Sequence, residues 1–510
     1  MRKQITCFLT LGAILTGCAV NPVTGDREFM IVSGDQEVAM GAANYAPMQQ
    51  SQGASYDVDP ALTEYVRSVG SRLAKVSDVP LPYEFTVLNN SVPNAWALPG
   101  GKIAINRGLL TELNSEAELA AVLGHEIVHA AARHTAQQMS RGMLMQGLVV
   151  ATSVATSDSS YGDLAVGGAG LAAQMTLMKY GRDAELESDK YGMRYMSKAG
   201  YDPQGAVDLQ ETFVRLSEGR NQDWLSGLFA SHPPSQERVR ANRKMAQKLP
   251  AGGETGVDGF NRAMQKTRAA KPAYDVYDKG RKALSEKKAD EALAHANEAI
   301  SLFPNEAHFH ALRGDVRLVK KQYDMAVTNY DRAIDRRSDF FYYHLQRGMA
   351  RHELGQNDAA IADLDRSIEL LPTAPAHYTL GKIQEERGLR AEAIRHYKIV
   401  AKSGGDYGKS AQEALVRLDL SAQPASYVSS ACGDDGSGRI VVQARNDTPV
   451  SVTGVQVQYQ YVDTGGTQRQ RTQAVGGQIP PGKIASAATG ITPYPGSRCA
   501  ATVVSAQIAE

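Results

Sequence analysis

The sequence lacks an excess of either charge, a large set of cysteines, and any apolar run long enough to cross a bilayer. Its 55 lysines and arginines are matched by 55 aspartates and glutamates. That balance leaves no basic footprint for nucleic acid, so no nucleic-acid partner is expected, and it argues against a long charged tail. Only four cysteines occur, at positions 7, 18, 432 and 499. The apolar run after Met1-Arg2-Lys3 and the apolar stretches at 143–155 and 165–178 are shorter than the roughly 20 residues a spanning helix needs. The latter two carry Gln146, Ser153 and Gln174 and read as core or cleft-covering helices. With 510 residues the chain exceeds what one core organises, so two to four domains are expected.

What is present begins with a compartment signal. A positive start and a short apolar run over residues 1–17 read as a signal peptide. The run ends in Leu15-Thr16-Gly17-Cys18, which resembles a bacterial lipobox, with Cys18 as the lipidated first residue of the mature chain. Ala19 rather than aspartate follows it. By resemblance to sorted lipoproteins, this implies anchoring in the outer membrane on its periplasmic face. Cys7 falls in the signal, so Cys432 and Cys499 remain as a pair. In an oxidising compartment that pair reads as a disulfide.

Residues 18–250 form a block of helical pattern with a few strand runs. Glycines and a proline over 251–272 read as a linker. From Ala273 the chain repeats. Gly280, Gly314, Gly348 and Gly381 are spaced 34, 34 and 33 apart, and Ala292, Ala326, Ala360 and Ala393 keep step. A period near 34 with small residues at helix crossings resembles tetratricopeptide repeats, expected over 273–405. Residues 424–510 alternate apolar and polar positions between turn signals and read as a small β-sandwich, with Cys432 before its first strand and Cys499 at the start of its last.

The chemistry concentrates in Gly124-His-Glu-Ile-Val-His129. Ser115 and Glu118 give a capping-box pattern at the start of a helix. His125 and His129, four apart, share one face of it and can present two imidazoles to one ion. Glu126, turned by about 100°, stays near enough to take a proton from an attacking water. The bare motif also fits an ordinary helix. A metzincin third histidine is excluded, because position 135 is Thr135 and His134 points to a different face. The remaining route to a third ligand is Glu185 on a second helix. Asp189, on the same face, would hold a ligand histidine by its other nitrogen, while Glu187 points away. A surface helix salt-bridged through Arg182, Lys190 and Arg194 fits the same residues.

Five segments together resemble one family. His125-Glu126-Ile-Val-His129 followed by Glu185-x-x-Ser188-Asp189, Asn94-Ala-Trp-Ala-Leu-Pro-Gly-Gly101, Ser231-His232-Pro233 with Arg238, and Asn21-Pro22-Val23-Thr24-Gly25 are similar to motifs of the zinc metallopeptidases that include HtpX, BepA and the CAAX prenyl endopeptidases. Ser188 stands where the family usually has alanine. The resemblance covers most of residues 18–250 and is nearest in architecture to BepA-like periplasmic proteases with tetratricopeptide repeats. It implies a multidomain fold: an α+β zincin protease domain of gluzincin type, an α-solenoid of repeats and a small C-terminal all-β domain.

The same resemblance implies one Zn2+ per chain on His125, His129 and Glu185, with Glu126 as general base. For His232 it implies either an oxyanion donor, hence a catalytic role, or a fourth ligand that latches the site. The expected function is a lipid-anchored endopeptidase acting on unfolded or misassembled envelope proteins, with the repeats engaging the outer-membrane assembly machinery. The alternative is a repeat-based chaperone or scaffold whose protease site is latched. Lys102-Ile-Ala-Ile-Asn-Arg107 reads as an edge strand on which extended substrate would pair. Tyr323, Tyr330, Tyr342, Tyr343 and Tyr378 are candidates to line the repeat groove.

Overall fold

The computed structural model describes residues 18–146, 180–219 and 231–509. The expected signal segment, the apolar stretch at 165–178 and all but the first residues of 143–155 lie outside them. The chain divides into two compact units, residues 1–354 with 369–371 and residues 355–368 with 372–510.

The first unit opens with a ribbon of β1 (Cys18–Val20) and β2 (Arg27–Phe29), paired antiparallel. The Asn21-Pro22-Val23-Thr24-Gly25 segment is the turn between them. Asn21 Oδ1 accepts from the Val23 amide at 2.9 Å, and Gly25 takes a φ of 80° that a side chain would resist. Helices α1 (Gly34–Ser51) and α2 (Pro60–Ala74) follow, then three strands: β3 (Glu84–Leu88), β4 (Ala95–Leu98) and β5 (Lys102–Asn106). Their order is β3-β5-β4, with β5 parallel to β3 and antiparallel to β4. The run from Lys102 is therefore the central strand, not the expected edge. Its residues are buried throughout and pair with a strand on each side. The edge strand that packs against the histidine-bearing helix is β4.

That helix, α3 (Glu116–Ala131), is buried from Ala117 to Ala131 and crosses the middle of the unit. A helix apolar on most faces has no preferred surface to leave in water. Ser115 caps it by accepting from the Glu118 amide at 3.1 Å. The Glu118 carboxylate does not close the expected box on Ser115. It reaches one residue further and accepts from the Asn114 amide at 2.9 Å. Helix α4 (His134–Gln146) follows, then α5 (Arg182–Lys198), α6 (Gln204–Gly219) and α7 (Gln236–Ala246).

The expected linker over 251–272 is largely helix. Gly252, Gly253 and Gly256 do turn the chain with positive φ, but α8 (Val257–Ser285) starts immediately after. Phe260 and Met264, one turn apart, are fully buried in the same core as Leu109 and Val128. Helical apolar spacing outweighs the local glycine content, and Pro272 is accommodated inside the helix.

From α8 the repeats run through α9 (Ala289–Leu302), α10 (Ala307–Val319), α11 (Tyr323–Arg336) and α12 (Phe341–Glu353). The repeat glycines are contact points: a Cβ on Gly314 would stand 2.8 Å from the Tyr330 ring. Tyr330 and Tyr343 are fully buried and Tyr342 nearly so, so these three pack between helices rather than line a groove. Tyr323 is half-buried.

The second unit holds α13 (Asn357–Leu370) up to Ile368, α14 (Ala374–Glu386), α15 (Arg390–Val400) and α16 (Gly405–Asp419), so the helices extend past residue 405. Tyr378 is half-buried there. Two antiparallel three-stranded sheets follow. One is ordered β10 (Ile484–Ala488), β7 (Ile440–Asn446), β6 (Val428–Asp434), and the other β11 (Ala500–Ile508), β8 (Val452–Val462), β9 (Gln468–Val475). Val442, Val455, Val457 and Val503 share one core. Cys432 and Cys499 form a disulfide with Cα atoms 6.0 Å apart. Cys432 lies inside β6 rather than before it, and Cys499 immediately precedes β11, so the bridge ties one sheet to the other. Among the described residues, no helix is long and apolar enough to cross a membrane.

Candidate metal centre

Two helices make the site by coming unusually close. Gly124 on α3 faces Gly192 on α5, and a Cβ on Gly192 would stand 3.0 Å from the His125 amide nitrogen. With no side chains at the crossing, Asp189, about one turn from Gly192, and Glu185, two turns from it, reach across to His125 and His129.

His125, His129, Glu185 and His232 are all buried, and their ligand atoms lie within 4.8 Å of one another. Nε2 of His125 stands 3.0 Å from Nε2 of His129 and 3.3 Å from Nδ1 of His232. The Glu185 oxygens lie 3.5 Å from His125 Nε2, 3.4 Å from His129 Nε2 and 2.8 Å from His232 Nδ1. Bonds of about 2.0–2.1 Å to a tetrahedral ion give ligand–ligand edges of about 3.3 Å, so this donor set fits one Zn2+-sized cation. The set is three imidazoles and one carboxylate, a nitrogen-rich combination suited to a first-row transition ion, zinc among them.

The electrostatics agree with a cation. Burial raises the Glu185 carboxyl, but the His232 and His125 imidazoles and the hydrogen bonds from His129 and His232 outweigh it and hold it well below the usual carboxylate range. Burial drives His129 strongly towards its neutral, ligating form. Glu126 is different. Burial pushes its carboxyl up, partly opposed by His232 and His125, and its Oε2 has no hydrogen-bond partner. Its Oε1 lies 3.7 Å from Nε2 of His232. This is a carboxylate placed beside the cluster, outside the ligand set and poised to exchange a proton.

The supporting groups are as specific. Asp189 Oδ1 lies 2.9 Å from His125 Nδ1, which turns Nε2 inward. Arg238, from the segment after Ser231-His232-Pro233, meets both Asp189 oxygens and Glu185 Oε2. His134 proves to be part of the site. The chain leaves α3, turns at Arg133 with φ 63°, and brings His134 Nδ1 to 2.9 Å from Nδ1 of His129. Glu187, which does point away from the cluster, lies 3.4 Å from His134 Nε2 and accepts from Asn21 Nδ2 at 3.1 Å. Helical spacing alone missed this because the turn at Arg133 resets the face on which His134 falls. The Tyr180 ring lies 3.9 Å from that of His129 and walls one side. Beside His125, Glu126 and His232 lies a small cavity of about 30 Å³, walled by Met193, Met196, Leu209 and Phe213.

Residues 60–246 match peptidase family M48, and residues 341–373 match a tetratricopeptide repeat. The chain is 27% identical over 276 residues to the beta-barrel assembly-enhancing protease of Escherichia coli K12, covering 53% of this chain and 55% of that protein. It spans about half the length of the beta-barrel assembly-enhancing proteases it matches. It is 32% identical over 235 residues to a mitochondrial metalloendopeptidase of Schizosaccharomyces pombe, covering 45% of this chain and 66% of that one. With metalloprotease YcaL of Escherichia coli K12 it is 30% identical over 253 residues, covering 47% of this chain and 94% of YcaL. A family match centred on the helix pair that assembles the cluster, and a relative matched over nearly its whole length, give one conclusion: the chain belongs to peptidase family M48.

Proposed function

We propose that this chain is a zinc endopeptidase of the bacterial envelope, anchored to the periplasmic face of the outer membrane through Cys18, that hydrolyses unfolded or misassembled envelope proteins. The observation that carries the catalytic part is the cluster of His125, His129, Glu185 and His232 with Glu126 beside it. The lipobox-like Leu15–Cys18 and relatives named for beta-barrel assembly support the location and the substrate class.

His125, His129 and Glu185 would hold the ion, and Asp189 orients His125. When bound, the ion would supply Lewis acidity for hydrolysis. Glu126 takes the water's proton and delivers it to the leaving amine, a role suited to a buried carboxyl with a raised affinity for protons. Met193, Met196, Leu209 and Phe213 give the site an apolar wall.

In this reading His232 acts as the latch. Its Nδ1 sits at ligand spacing from His125 and Glu185, the position that substrate and water need. This favours a resting form in which the site is closed and the repeats dominate the chain's interactions, until a client displaces the histidine. The test is Glu126→Gln in the full chain against an unfolded outer-membrane protein. Hydrolysis should drop by at least about 100-fold, as expected for loss of a general base, with one zinc per chain retained by elemental analysis. Undiminished hydrolysis, or active protein free of metal, refutes the reading.

A further inference from the structure

The repeats hold an internal comparison. Arg313 and Arg347 each precede a repeat glycine, 34 residues apart, and Arg317 and Arg351 follow four positions later on α10 and α12. In the later repeat the pair meets a carboxylate. Asp331 Oδ1 lies 2.7 Å from Arg347 Nη1 and 3.9 Å from Arg351 Nη2. The position 34 residues before Asp331 is Asn297. Arg313 Nη1 donates to its Oδ1 at 3.3 Å, so a neutral carboxamide stands where the next repeat has an acid.

No other acid replaces it. Arg313 Nε donates to Asn329 Oδ1 at 2.6 Å, and Arg317 Nη1 to Gln322 Oε1 at 2.5 Å. Arg336 donates to two backbone carbonyls, those of Pro304 at 3.1 Å and Arg332 at 2.7 Å. Among the described residues, none of Arg313, Arg317, Arg332 and Arg336 has a carboxylate within ion-pairing distance. Partial burial and repulsion from Arg332, Arg317 and Arg336 all disfavour the charge on Arg313. Arg332 and Arg336 are exposed, while Arg313 and Arg317 are half-buried. The fold has kept the arginine pair and dropped its counter-ion, and it holds the Arg313 fork in place through Asn329.

We propose that the surface formed by α9, α10 and α11 binds an acidic polypeptide segment, with one partner carboxylate seated beside Asn297, at the position that Asp331 holds in the following repeat. The ligand chemistry comes from the chain's own template, since the equivalent arginines take an aspartate side chain. Arg332 and Arg336 lie one turn apart on α11. That rise of about 6 Å is close to the roughly 7 Å between alternate residues of an extended strand, so two acids at alternate positions of the partner meet one arginine each. The site does not depend on the metal centre, so it survives in a catalytically dead chain.

The experiment uses the full chain carrying Glu126→Gln, so that nothing is cleaved. The probe is a fluorescently labelled peptide of alternating glutamate and serine, with glutamine in place of glutamate as control. Anisotropy should show binding of the acidic peptide, weakened by salt, and none of the control. Asn297→Asp should supply the missing carboxylate internally and weaken binding by about tenfold or more, the scale of one charge-assisted contact. The doubly substituted Arg332→Ser, Arg336→Ser chain, altered only at exposed positions, should weaken it similarly and guards against a folding defect in the first variant. Equal binding of the control, or full affinity in both variants, overturns the proposal. Binding to phosphatidylglycerol vesicles that is lost in both variants, without binding to the acidic peptide, also overturns it in favour of a lipid phosphate.

Discussion

Asp189 and Arg238 meet edge to edge, with Nε donating to Oδ2 and Nη2 donating to Oδ1, each at 2.7 Å. The same guanidinium reaches Glu185 through Nη1 at 2.8 Å. One planar cation therefore holds both the carboxylate of the four-residue cluster and the carboxylate that orients His125. Lysine offers a point charge and cannot span these three oxygens. Arg238→Lys should weaken zinc affinity by about 10- to 100-fold, the usual cost of losing an outer support of a metal site. Competition against a chromophoric chelator measures this, and unchanged affinity refutes the role.

His232 separates two readings of the site. If its imidazole rests as a fourth ligand, His232→Ala frees that corner, and basal hydrolysis of an unfolded substrate rises while zinc affinity falls. If it is instead the oxyanion donor, the same variant loses about 10²- to 10³-fold in kcat with zinc affinity preserved. The geometry favours the first outcome. Steady-state kinetics paired with metal titration distinguishes them.

His308 gives a pH dependence remote from the metal. It is fully enclosed, with Nε2 on the Gly53 carbonyl at 3.2 Å and Nδ1 on the Tyr343 hydroxyl. Burial, opposed by Glu306 and reinforced by Arg337, lowers its pKa from 6.5 to about 4. Between those values the unfolded chain takes up a proton that the folded chain refuses. Folding stability is therefore greatest above pH 6.5 and falls as the pH drops towards 4, by up to about 3 kcal/mol. His308→Gln should flatten that slope. Urea denaturation of both proteins across this range, at matched zinc content, tests it, and parallel slopes refute it.

The bridge between Cys432 and Cys499 closes a loop with a sequence separation of 67. Loop-closure entropy for that length corresponds to about 4 kcal/mol of stabilisation. Cys432→Ser with Cys499→Ser should lower the unfolding midpoint of the C-terminal sheets and leave the metal content of the chain intact. Native mass spectrometry and denaturation report both, and an unshifted midpoint contradicts the estimate.

Much of the site was legible because its parts are short-range. The spacing of His125 to His129 and of Glu185 to Asp189 places each pair on one helical face, whatever the rest of the chain does. The repeat register was equally legible, since Gly314 and Ala326 mark contacts that recur with the same local geometry. The sequence did not reveal where those faces point. The crossing of Gly124 with Gly192 joins residues far apart along the chain. The turn at Arg133 changes the face of His134, and the path of β5 between β3 and β4 makes a buried centre of what reads as an edge.

Sequence alone therefore determined the ligand types, their helical pairing, the repeat period and the pair of cysteines, because these depend on neighbours within a few turns. Tertiary structure decided that His232 enters the metal cluster and that His134, Glu187 and Asn21 stand behind His129. It also decided that α8 belongs to the core rather than to a linker. Each of these depends on which distant surfaces exclude water together, and no local pattern encodes that.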